Sequence, residues 1–155
     1  MTILQVLKKI KHLDRKINTI KDRISRWCSH SEDEPSPYEI PKLQQSLSSL
    51  VDEISKLRHV LHATNAITMV QMEGEASPKT LDEYIILKTF VLPQKIEALK
   101  LMHRSERGYS APASVKNVIE YDPSERDKQI DKYEYQLEKI DTFLDTMNIT
   151  LAVME

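Results

Sequence analysis

A narrow apolar stripe, repeating by three and then four residues, runs down two stretches of this chain. One is Ile3, Val6, Ile10, Leu13, Ile17, Ile20, Ile24 and Trp27; the other is Ile40, Leu43, Leu47, Leu50, Ile54, Leu57, Leu61 and Thr64. A repeat of 3.5 residues places all of these side chains along one edge of a helix, and that edge has to be buried against another helix. The spacing predicts a first helix over about residues 2–28, which at 1.5 Å per residue is about 40 Å long. It predicts a second over about 41–65, with Pro41 suited to a first helical turn. Prolines and acids in Ser31 to Pro37 break the pattern between them. Twelve residues, 28 to 39, separate the seams. A parallel return would stretch them over the whole helix length, so an antiparallel hairpin is expected.

Two more helices follow from end signals. Thr80, Leu81, Asp82 and Glu83 form a capping box, in which hydroxyl and carboxylate satisfy each other's orphan backbone donors. They open a helix over about 80–104 that carries Leu81, Tyr84, Ile85, Leu87, Val91, Leu92, Ile96, Leu99 and Met102. Pro93 falls in its interior and is expected to kink or split it, at about 3 kcal/mol if unrelieved. Asp122 as cap, Pro123 at the first position and Glu125 closing a second box start a helix over 123–147. Its seam is Ile130, Tyr133, Leu137, Ile140, Leu144 and Met147. Short strands are expected at 66–72, 115–121 and 149–154, from strand-forming composition and alternation. Leu4, Leu7, Val51 and Val60 widen the first two stripes. The expected fold is therefore mainly α: one helical domain over 1–155, of long antiparallel hairpins in a four-helix, coiled-coil-like bundle, with a small accessory β element.

Composition excludes several function classes. Two glycines in 155 residues leave little for phosphate-cradling loops, and the single Cys28 allows neither an internal disulfide nor a zinc cluster. A lone thiol fits a reducing compartment, and no apolar run approaches the roughly 20 residues that span a bilayer, so a cytoplasmic protein is expected. Charge is unevenly spread. Residues 1–27 hold Lys8, Lys9, Lys11, Arg15, Lys16, Lys21, Arg23 and Arg26 against Asp14 and Asp22, a net of +6 in a chain of net −2. Residues 122–147 hold eight carboxylates and four basic side chains, so pairing between the first and last helices is expected to absorb that charge.

No constellation for catalysis stands out. His59 and His62 share a helical face but lie off the seam, without the Glu-x-x-His motif of di-metal bundles. Trp27 sits on the seam, and Cys28 lacks a basic neighbourhood or a resolving partner. No catalytic residue, metal or cofactor is expected. The one segment suited to an anionic ligand or partner is Arg104, Arg107, Tyr109 and Ser110, where two guanidiniums, a phenol and a hydroxyl fall within seven residues. Arginines there can equally cap the helix end.

An ordered set of residues also resembles a family of bacterial helical proteins often labelled septicolysin. The set comprises Thr64, Asn65 and Thr68, then Thr80 and Leu81, then Arg107, Tyr109 and Ser110, then Ile140, Asp141, Leu144 and Asn148. It covers residues 57 to 155, and departs from the pattern at Ile149 and at Ala111 to Lys116. The resemblance implies a helical hairpin with a small β element, self-association, and no established activity; the label alone suggests a cytolysin. The combined expectation is a non-enzymatic structural or interaction protein forming a homo-oligomer. Its assembly seam is Ile3, Val6, Ile10, Leu13, Ile17, Ile20, Ile24, Trp27, Leu43, Leu47, Leu50, Ile54, Leu57 and Leu61. The alternative is a polyanion binder using the basic face of the first helix. Nucleic acid and membrane are not the expected partners, since the last helix offers acids to that face.

Overall fold

Heptad stripes of this kind require long helices, and a computed structural model of the chain contains them. It describes residues 1–102 and 120–154. The elements are α1 (Ile3–Trp27), α2 (Ile40–Ile67), β1 (Met69–Val70), β2 (Lys79–Thr80), α3 (Leu81–Ile86), a π-helical turn (Leu87–Val91), α4 (Leu92–Leu101) and α5 (Pro123–Thr150). The fold is mainly helical with a two-stranded antiparallel sheet. Packing gathers the chain into two compact units, one of Met1–Ile67 with Met147–Glu155, the other of Thr68–Thr146.

In the first unit α1 and α2 form the hairpin. Val6, Ile10, Leu13, Ile17 and Ile54 make one buried cluster, with Leu47, Leu50, Leu57, Leu61 and Val153 packed on it. Ion pairs fix the direction. Lys9, one residue before seam Ile10, meets Glu53, one before seam Ile54, at 2.7 Å. Asp14, one after Leu13, meets Arg58, one after Leu57, at 3.8 Å. Like flanks of the two seams thus face each other, and the ends agree: Ile3 at the start of α1 and Thr64 near the end of α2 both bond the C-terminal tail, so the hairpin is antiparallel.

The first turn of α1 leaves backbone donors without intrahelical partners. Thr2 and Gln5 satisfy two as a capping box, Thr2 N donating to Gln5 Oε1 at 2.9 Å and Gln5 N to Thr2 Oγ1 at 3.3 Å. The C-terminal tail takes a third, because Ile3 N donates to Leu151 O at 3.0 Å. Val153 N then donates to Met1 O at 2.8 Å, beside an antiparallel bridge between Thr2 and Ala152. Buried Thr64 fastens the same tail: its hydroxyl donates to Val60 O and accepts from Met154 N at 3.1 Å.

The second unit is built on α3, the π turn, α4 and the first part of α5. Tyr84 packs against Phe143 with ring centroids 5.1 Å apart, Lys88 pairs with Asp141, and Lys100 pairs with Glu134 at 2.7 Å. Partner numbers fall as residue numbers rise, so this packing is antiparallel too. Leu81, Tyr84, Leu92, Ile96, Ile140 and Leu144 are its buried apolar side chains. The capping box at Thr80 is present, Glu83 N donating to Thr80 Oγ1 at 3.2 Å and Thr80 N to Glu83 Oε2 at 2.6 Å. Replacing Thr80 with alanine is expected to lower stability by about 1 kcal/mol, read from the urea midpoint. A loss below a few tenths would show the cap to be idle.

Several local expectations are corrected. The interruption expected at Pro93 is present, but as a π turn between α3 and α4 rather than at Pro93 itself. The wider turn lies just ahead of it, where Leu92 N bonds Leu87 O five residues back, and Pro93 takes an early position of α4 that needs no donor. The turn also serves packing. Eight residues from Tyr84 to Leu92 would leave them about 80° apart on an unbroken α-helix, and the wider turn winds enough of that back for both to be buried.

Of the segment 66–72 only Met69 and Val70 are a strand, because α2 continues to Ile67. The strand partner is Lys79–Thr80, which the sequence reading did not identify. Residues 149 and 150 are helical, and extended pairing of the tail starts at Leu151. Asp122 caps α5 by accepting from Ser124 N at 2.8 Å, but Glu125 closes no box there and pairs with Lys128 instead. The expected strand at 115–121 falls almost wholly outside the described residues.

Candidate functional site

Arg104, Arg107, Tyr109 and Ser110, the segment singled out for an anionic ligand, lie outside the described residues. Those seam residues that are buried face one another within a single chain. Ile3, Val6, Ile10, Leu13, Ile17 and Ile54 are buried, while Ile20, Ile24, Trp27, Leu43, Leu47, Leu50, Leu57 and Leu61 are half-buried. Val6, Ile10, Leu13, Ile17 and Ile54, with Leu47, Leu50, Leu57 and Leu61 packed on them, spend apolar area within the hairpin. His59, His62 and Cys28 are exposed, and among the described residues no cluster of His, Cys, Asp or Glu is placed to hold a metal.

Each unit pairs its charges internally. Glu134 and Asp141 of α5 go to Lys100 and Lys88, and the acid that α1 meets is Glu53 of α2. A hydrogen bond from Lys9 holds the Glu53 carboxyl below its usual value, outweighing the opposing effect of desolvation. Lys8, Lys11, Arg15, Lys16, Lys21 and Arg26 remain exposed and form no ion pair with the described acids. At the tip of the hairpin Arg23 stacks over the Tyr38 ring, 4.9 Å from its centroid. Thr19, Asp22, Arg23, Arg26, Trp27 and Tyr38 line a cavity of about 240 Å³ there. The stacked pair joins α1 to a residue two positions ahead of α2, a contact across fifteen positions that no local spacing announces.

A second cluster, also missed by sequence reasoning, ties the loop between β1 and β2 to α3. Gly74, at φ 87, lets the chain turn so that Glu75 N reaches Met72 O at 3.1 Å. The Glu75 carboxylate then accepts from Lys79 and from the Tyr84 hydroxyl, the latter at 2.8 Å, while the Tyr84 oxygen accepts from Met72 N at 3.2 Å. Tyr84 is fully buried. Burial pushes the Glu75 carboxyl up, but the bonds from Lys79 and Tyr84 together outweigh it and leave it below its usual value. Burial raises the Tyr84 phenol, and the hydrogen bond to Glu75 raises Lys79. Each group of the cluster is thus held in the state that its partners require, as in a clasp between the loop and α3. The Glu75 and Lys79 pair at i, i+4, one following Gly74 and the other following Pro78, is the only trace of it in the sequence.

On the other side of α3 two apolar side chains stand in solvent: Ile86 is 46% exposed and Phe90, within the π turn, 64%. No described helix is long and apolar enough to cross a membrane.

Fold and site together define a protein of long antiparallel helical hairpins fastened by short β pairings. The chain belongs to the family of unknown function DUF6847, which matches it over residues 11–153. A solved structure, described as a functionally unknown conserved protein from Corynebacterium diphtheriae, is similar with a TM-score of 0.79 at 16% identity, over 99% of this chain and 99% of that one. That likeness speaks for the fold. No curated protein matches the chain.

Proposed function

We propose that this protein is a non-enzymatic interaction module that associates with copies of itself through a helical face. The observation carrying the reading is the exposed pair Ile86 and Phe90. Phe90 is the most exposed of the large apolar side chains among the described residues, and with Ile86 about one turn away it offers an apolar face to a partner. A second copy is the occupant we favour, because an isologous contact would set Phe90 of one chain against Ile86 of the other and bury both pairs at once. The seams of α1 and α2 then hold the hairpin together instead of joining copies. The likeness to septicolysin-labelled proteins fits the self-associating part of this reading; lysis forms no part of it.

Light scattering tests the proposal. The wild-type chain is expected at a multiple of 18.0 kDa, and Phe90→Glu at 18.0 kDa with an unchanged urea midpoint, since an exposed side chain contributes within about 0.5 kcal/mol to folding. A wild-type chain that stays monomeric at high micromolar concentration defeats it, as does a Phe90→Glu variant that keeps the wild-type mass.

A further inference from the structure

Viewed around the helix axis, the cations of α1 are not scattered. Lys8, Lys11, Arg15, Thr19, Asp22 and Arg26 follow one another at spacings of three and four, which puts them in a single row on the face away from the seam. From Lys8 to Arg26 the row is about 27 Å long at 1.5 Å per residue. It ends in the hairpin-tip cavity, whose lining it shares through Thr19, Asp22 and Arg26. That cavity adds two aromatic side chains, Trp27 and Tyr38, the latter held from one side by the Arg23 guanidinium. A track of unpaired cations that runs into an aromatic cup is what a strand of phosphates and bases requires: cations follow the backbone, and rings stack on bases of any sequence. Asp22 is the one acid in the row and offers an acceptor to a base amino group, while Glu32, Asp33 and Glu34 of the tip loop end the track with like charge.

From this juxtaposition we propose that the outer face of α1 and the hairpin-tip cup bind single-stranded nucleic acid, with phosphates on Lys8, Lys11, Arg15 and Arg26 and a base against Trp27. An anionic membrane would use the cations equally well but would leave the aromatic cup without a role. The proposal is independent of self-association through Phe90, which lies in the other compact unit.

Trp27 is the only tryptophan of the chain, so its emission reports on the cup directly. Titrating the full-length protein with an oligothymidylate of about ten nucleotides is expected to quench Trp27 fluorescence. The logarithm of the binding constant should fall with the logarithm of salt at a slope of about −2.8, for four phosphate contacts on a single strand. In the triple variant K8Q/K11Q/R15Q, whose three side chains are exposed, the slope is expected to fall to about −0.7, with an unchanged circular dichroism spectrum. K132Q, which removes an exposed cation of α5, should bind as wild type. Inorganic polyphosphate should compete for the row without quenching Trp27. Four results overturn the proposal: no quenching at low salt, oligonucleotide binding that leaves Trp27 unquenched, an equal loss in K132Q, or phosphatidylserine vesicles sedimenting the protein while the oligonucleotide leaves it untouched.

Discussion

Shortening Leu13 to alanine lowers the unfolding free energy by about 2–5 kcal/mol. Leu13 lies in the middle of the α1 seam, buried in one cluster with Val6, Ile10, Ile17 and Ile54. Truncation removes three methyl or methylene-sized groups from that cluster, and the hairpin can close over the gap only by bending two long helices. Urea unfolding followed by circular dichroism measures the loss. The control is Leu7→Ala on the same helix: Leu7 stands off the seam and is exposed, so its truncation is expected to cost well under 1 kcal/mol. Equal effects at the two positions would mean that the heptad stripe does not organise the packing of this helix.

That contrast also marks how much of the fold was legible. A 3.5-residue period sustained over eight positions constrains a helix along its entire length. The hairpin, its antiparallel sense and most of its core could therefore be read from α1 and α2 directly. The β pairings were less accessible, because Lys79–Thr80 is two residues long, without β-branched or aromatic neighbours before it, and is a strand only because Met69 and Val70 lie alongside. Pro93 was visible as a problem but its remedy was not, since a π turn is a solution to packing between Tyr84 and Leu92 rather than a property of Leu87 to Val91. Charge behaved similarly. The excess of cations on α1 is plain in the composition, whereas the pairing of Lys88 with Asp141 and of Lys100 with Glu134 depends on the packing of α3, α4 and α5 within their own unit.

Removing the Tyr84 hydroxyl tests the clasp between the loop and α3, and Tyr84→Phe is expected to cost about 1–3 kcal/mol. The ring and its contact with Phe143 survive the change, so the loss falls on two hydrogen bonds. Met72 N–H and the Glu75 carboxylate each lose a partner in a site that water reaches poorly. The variant should also change how stability depends on acid. The folded Glu75 carboxyl lies below its ordinary value of 4.5, so its contribution is fully present above the unfolded value and is lost as pH falls through the folded one. Without the phenol's donation the folded value moves back up towards the unfolded one, because burial opposes the charge and only Lys79 still favours it. The window over which acid removes this contribution narrows from below, because its lower edge follows the folded value up while its onset stays at the unfolded value. Urea midpoints measured from pH 7 to pH 3 should show wild type and Tyr84→Phe differing most at neutral pH and converging as Glu75 is protonated in both. A constant difference across that range would mean that the hydroxyl contributes through Met72 alone and that Glu75 is held by Lys79 without its help.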